Sequence, residues 1–119
     1  MAESETYDLF QKGRQHLERG MAAQATVSLE KAKRREPEKA SIREALAIAY
    51  FRLQRYRESE EEFRAMLELA PTDDYAHYGL ALCRLRAGDR TGARAHLRLA
   101  IVMRPDNVDY QNALAEAGD

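Results

Sequence analysis

The only three prolines of this chain, Pro37, Pro71 and Pro105, each lie 34 residues from the next. A self-similar period of that length marks a stack of supersecondary units, and it constrains the fold more than any single motif. Glycine keeps the same register: Gly20 and Gly88 stand two periods apart, with Gln54 midway. Size follows it too. Gly13, Ala47 and Ala81 are small; Leu17, Phe51 and Leu85 are large; Ala25, Ser59 and Ala93 are small; Leu29, Phe63 and Leu97 are large; Ala32, Met66 and Ala100 are apolar.

Three repeats are therefore expected, at 6–39, 40–73 and 74–107, followed by a tail at 108–117. Each reads as two helices: the first over 7–19, 41–54 and 75–87, the second over 23–35, 57–69 and 90–103. Gly20 and Gly88 suit the left-handed position after a helix end, where a Cβ is unfavourable. Each proline follows a second helix that it cannot continue, having no N–H to donate. Asp73 or Asp74 is expected to cap the fifth helix and Asn107 the tail helix. Small Gly13, Ala47 and Ala81 let the helices of a hairpin approach, and Leu29, Phe63 and Leu97 fill the space. A hairpin cannot bury such a face alone, so the repeats must stack.

The spacing, the small and large positions and the closing prolines resemble the tetratricopeptide repeat family. The matching residues are Gly13, Ala25, Leu29 and Pro37; Ala47, Tyr50, Ser59, Phe63 and Pro71; and Ala81, Ala93, Leu97 and Pro105. The family's early Trp is absent, with Leu9, Arg43 and His77 in its place. The similar pentatricopeptide repeats are one residue longer, and the strict spacing argues against them. The resemblance implies an all-α fold: a right-handed solenoid of antiparallel helix-turn-helix repeats with a short C-terminal cap helix, about seven helices. One domain is expected over 1–119, in keeping with the chain length.

Both ends are expected to be finished. Ile42, Leu46, Ala49 and Leu53 in repeat two, and Ala76, Leu80, Cys83 and Ala87 in repeat three, form stripes toward the preceding repeat. Repeat one has Asp8, Lys12, Gln15 and Arg19 there, as a terminal repeat with a polar outer face should. Tyr110, Leu114 and Ala117 give the tail an apolar face to cover the last repeat.

In this family the first helices line the concave side, so the resemblance implies a peptide-binding groove. Its candidate residues are Tyr7, Phe10 and Arg14 in repeat one, Glu44, Ile48 and Arg52 in repeat two, and Tyr75, Tyr78, Leu82 and Arg86 in repeat three. Aromatic rings beside guanidinium groups suit a short partner segment with apolar and acidic residues. Leu17, Phe51 and Leu85 also fall on this side, but they read first as core that fills the hairpins. Chaperone-binding members hold a tail carboxylate with Lys, Asn, Asn, Lys and Arg. The matching places here are Phe10, Arg14, Ala45, Tyr75 and Gly79, and of these Arg14 alone is cationic, so no chaperone-tail clamp is expected.

Other chemistry finds little footing. The net charge of −1 argues against nucleic acid or an anionic membrane as a partner. Arg90, Arg94 and Arg98 form a basic stripe, and Glu58, Glu60, Glu61 and Glu62 an acidic start to the fourth helix; both read as solvated faces. His16, His77 and His96 fall at unrelated repeat positions, and no metal motif or phosphate loop occurs. Cys83 reads as a small buried hydrophobe. The expectation is a cytoplasmic, non-enzymatic interaction module without cofactor or metal. A monomer is favoured over a homodimer. The alternative is a scaffold that self-associates through its tail helix or convex face.

Overall fold

The computed structural model describes residues 2–118, with side chains from residue 5 onward. Among the described residues there are seven α-helices and no strand: α1 (Ala2–Glu18), α2 (Ala22–Arg35), α3 (Ala40–Arg52), α4 (Tyr56–Leu69), α5 (Asp74–Arg86), α6 (Arg90–Met103) and α7 (Val108–Glu116). The first helix starts five residues before the expected Tyr7, and the others agree to within two residues. The chain divides into two compact units within α4, residues 1–62 and 63–119.

The turns explain why the hairpins recur. After α1, Gly20 takes φ +73°, and the Met21 N–H reaches the His16 carbonyl at 2.8 Å. After α3, Gln54 takes φ +61°, and Arg55 reaches Tyr50 at 2.8 Å. After α5, Gly88 takes φ +81°, and Asp89 reaches Arg84 at 2.9 Å. Each is a left-handed C-cap that satisfies a carbonyl the helix has left open. Before the prolines, Glu36 and Arg104 are both extended, with φ −136° and −137°. That is the conformation a following proline ring imposes. Of the two candidate caps of α5 it is the Asp73 carboxylate that accepts, from the Ala76 N–H at 3.1 Å. Asn107 accepts from Tyr110 N–H at 3.0 Å and caps α7.

In the first unit, α1 packs on α2 and α2 on α3. A Cβ at Gly13 would lie 2.5 Å from Leu29 Cγ, so this glycine is what lets α1 and α2 close. Ala25, Leu29 and Ala32 of α2 meet Ile42, Leu46 and Ala49 of α3, with Leu9, Phe10 and Leu17 of α1 packed against them. Each fully buried leucine contributes about 1.5–3 kcal/mol of transfer free energy. Asp8, Lys12, Gln15 and Arg19 are exposed, as expected.

In the second unit, Ala81, Ala93 and Leu97 of α5 and α6 form a core with Ala113 and Ala117, against which Tyr78, Leu85 and Leu114 pack. Cys83 is buried. Phe63 lies on α5, where a Cβ at Gly79 would fall on its ring, and it meets Tyr75 edge to face at 6.1 Å.

Candidate functional site

Helices α1 and α3 carry one residue per turn on facing stripes, the spacing of three and four that keeps side chains on one face. Phe10, Arg14, Leu17 and Glu18 of α1 and Ser41, Glu44, Ala45, Ile48 and Arg52 of α3 line an open cavity of about 450 Å³. The Arg14 guanidinium lies 5.7 Å from the Phe10 ring centre, a cation–π contact that leaves its charge at the cavity edge. Arg52 donates to the Leu17 carbonyl at 3.0 Å, which fixes this second cation across the seam. A neighbouring cavity of about 380 Å³ shares Phe10 and Ser41 and adds Thr6, Tyr7, Glu36, Lys39 and Ile42. Tyr7 is exposed, and its hydroxyl accepts from Gln11 Nε2 at 2.7 Å. The groove residues of the first two repeats therefore come together along one seam. Glu18, Ser41 and Lys39 join them, polar residues that the register of large side chains did not pick out.

In the second unit, Tyr75 and Tyr78 belong to a row of rings. Their centres are 6.0 Å apart, and Tyr78 lies 4.8 Å from Tyr110 of α7. Tyr110 is buried and donates to Asp74 at 2.6 Å, while Arg104 stands 3.7 Å from the same carboxylate. Burial, with Asp109 and Glu116 nearby, pushes the Tyr78 hydroxyl up from its ordinary value. Leu82 and Arg86 line a separate cavity of about 420 Å³ with Leu85, Gly88, Arg90 and Glu116.

The surface charges depart from the sequence reading in two places. Glu62 is not solvated. It is 4% exposed and accepts from Lys33 Nζ and from Arg43 Nη1, each at 2.9 Å. Lys33 also pairs with Glu30 at 3.2 Å, and Glu30 accepts from the Tyr50 hydroxyl in a short hydrogen bond. In the basic stripe Arg90 and Arg98 are exposed, as expected, and Arg94 is half-buried. Arg94 donates to the Ala117 carbonyl at 3.1 Å and closes the end of α7, and Arg90 lines the second-unit cavity.

Two histidines that sequence spacing left unrelated are partners: His77 Nδ1 and His96 Nδ1 are 3.1 Å apart. His77 Nε2 faces the Pro71 carbonyl at 3.2 Å, and a carbonyl only accepts. The hydrogen of neutral His77 is therefore on Nε2, and its Nδ1 accepts from His96 Nδ1–H. Among the described residues no group of three His, Cys, Asp or Glu side chains is placed to hold a metal ion. Among them, too, no helix is long and apolar enough to cross a membrane.

Hairpins closed by small residues, capped by left-handed turns and repeated every 34 residues define a helical-repeat protein. The tetratricopeptide repeat model matches residues 10–74 and again 45–108, and the chain belongs to that family. It is 36% identical over 93 residues to the tetratricopeptide repeat and J domain-containing co-chaperone DNJ1 of Fusarium oxysporum f. sp. lycopersici. That match covers 78% of this chain but spans only 18% of the relative's length. The first tetratricopeptide domain of Spaghetti (RPAP3), bound to the HSP90 peptide SRMEEVD, has the same fold. Its TM-score is 0.91 at 19% identity, over 96% of this chain and 90% of that one. The second such domain of human RPAP3, in complex with the HSP70 peptide SGPTIEEVD, gives 0.92 at 16% identity, over 100% and 99%.

These findings overturn the expectation that excluded chaperone tails. Two domains of this fold carry chaperone peptides, and the matched relative is a co-chaperone. The exclusion rested on five matched positions. It missed that Arg52, outside those five, brings a second cation into the cavity that Arg14 lines.

Proposed function

We propose that this chain is a non-catalytic protein-interaction module that holds a short acidic segment of a partner along the α1/α3 seam. The three repeats and the cap helix serve as one domain, with the role of an adaptor in the cytoplasm. The observation that carries this reading is the cavity itself. Phe10 and Ile48 offer apolar contact, and Arg14 and Arg52 offer guanidinium groups already oriented by a ring and a carbonyl. Oriented cations lose little freedom when a carboxylate arrives, so more of the interaction energy appears as affinity. The acidic peptides held by the two RPAP3 domains support the ligand class, and the co-chaperone relative supports chaperone tails as examples of it.

The test is fluorescence anisotropy with labelled SRMEEVD and SGPTIEEVD. A Kd on the order of 10 µM, about −7 kcal/mol, is expected. Arg14→Glu with Arg52→Glu should weaken it by roughly tenfold or more, because each change replaces an attractive charge with a repulsive one. Equal affinity for the folded double variant would rule out the seam as the site.

A further inference from the structure

The His77–His96 pair has no part in the proposed function, and its geometry is specific. His77 lies in the first turn of α5 and His96 midway along α6, and these two helices pack on each other. Leu80 and Ala81 of α5 and Ala93, Leu97 and Ala100 of α6 are buried, which fixes the rotation of both helices and sets the two histidines beside that core. The rings stack with centres 5.3 Å apart, and the two Nδ1 atoms face each other at 3.1 Å. His77 is 8% exposed and His96 is half-buried, so the pair is reached from the His96 side. Two nitrogens that each stand about 2.0–2.1 Å from a tetrahedral zinc ion are ~3.3 Å from one another. The Nδ1 pair is within a few tenths of an ångström of that span. The other nitrogen of His77 has the partner that a metal-binding imidazole uses. Nε2–H donates to the Pro71 carbonyl at 3.2 Å, which holds the Nδ1 lone pair toward His96. The outer torsion of a histidine is broad, so both rings can tip until their lone pairs converge on one point.

We propose that His77 Nδ1 and His96 Nδ1 form a two-nitrogen site for a divalent transition cation of the zinc type, which ties α5 to α6. Neutral imidazole is a ligand that such cations favour, whereas magnesium and calcium take oxygen. On binding, the hydrogen between the two nitrogens moves to His96 Nε2 and the cation takes its place. Among the described residues no third His, Cys, Asp or Glu completes a set of three, so water supplies the other ligands. Half the ligands of a closed structural zinc site, at roughly half its free energy, correspond to a Kd of about 1–200 µM. The site exists only in the folded hairpin, so occupancy stabilises the second unit.

The experiment is long-range proton–nitrogen NMR of the imidazole rings in the full chain, titrated with zinc chloride at a pH of about 7.5, where free imidazole is neutral. Magnesium chloride is the control. The Nδ1 signals of His77 and His96 should shift together and saturate at one cation per chain, while His16 stays in place. Magnesium should move none of the three. At ten times the Kd, zinc should raise the melting temperature by about 4 °C. His96→Gln should weaken zinc binding at least tenfold and abolish that rise, whereas Cys83→Ala, which removes the one thiol, should leave both unchanged. The ring signals need no variant, so they decide the matter even if a substituted chain folds poorly. A shift of His16 alone, or of one ring of the pair without the other, would overturn the site. So would equal shifts with magnesium, zinc binding that survives in His96→Gln or is lost in Cys83→Ala, or no shift at millimolar zinc. None of these outcomes bears on the α1/α3 seam.

Discussion

Glu62 shows how much one side chain can carry in a chain with a third of its residues charged. Its carboxylate is buried, and both Lys33 and Arg43 reach it at 2.9 Å. Lys33 is raised from its ordinary pKa by Glu62 and Glu30 even though burial opposes its charge. Removing Glu62 leaves two partly buried cations without their principal partner, and that loss outweighs anything an exposed ion pair contributes. Glu62→Ala should lower the unfolding free energy by about 3 kcal/mol in a urea titration. Glu61→Ala, at an exposed neighbour, should change it by less than about 0.5 kcal/mol. Equal costs at the two positions would show that the network is not what stabilises the first unit.

At the scale of elements, the helices and their stops were legible because the signals are local. Proline blocks a helix whatever surrounds it, and glycine at the C-cap needs only its own φ. Asn107 and the candidate pair at Asp73 were readable for the same reason. Gln54 tests this. It occupies the left-handed position that Gly20 and Gly88 fill elsewhere, at φ +61°. Gln54→Gly should raise stability by roughly 0.5–1 kcal/mol, the relief of Cβ crowding less the added freedom of the unfolded chain. A drop measured by thermal unfolding would mean that the side chain itself holds the turn. What was not legible is what depends on which neighbour a side chain meets. Among four closely spaced glutamates, each step turns the helix by ~100°, and composition does not say which one faces inward. His77 and His96 lie on different helices 19 residues apart, and the hairpin brings them together. Of the groove candidates, the first-unit residues gather at one seam because their register on α1 and α3 is shared. Tyr78 was readable as a groove candidate, but its contact with Tyr110 depends on where α7 lies.

Across the whole molecule, each unit has a buried tyrosine that donates to a carboxylate: Tyr50 to Glu30 in the first, Tyr110 to Asp74 in the second. Burial comes first and the hydrogen-bonded carboxylate second in holding both phenols well above their ordinary pKa. A folded pKa raised above the unfolded value means that the folded state keeps its proton longer. The associated stability is fully present below about pH 10, the unfolded tyrosine value, and is lost as pH rises above it. The melting temperature should therefore fall between pH 9.5 and 11 (roughly the window around that value), and Tyr50→Phe or Tyr110→Phe should flatten the fall. A wild-type melting temperature that stays level across that window would contradict the assignment.

The contact between Phe63 and Gly79 constrains how this chain can change. Position 79 admits no side chain while the ring is there. An alteration at 79 therefore succeeds only after 63 has become smaller, and a reduced residue at 63 leaves a void until 79 grows. The two positions form one step of sequence variation, passable in one order and obstructed in the other. Anyone rebuilding the α5 surface, for instance by placing a cation at 79, has to begin with the residue on α4.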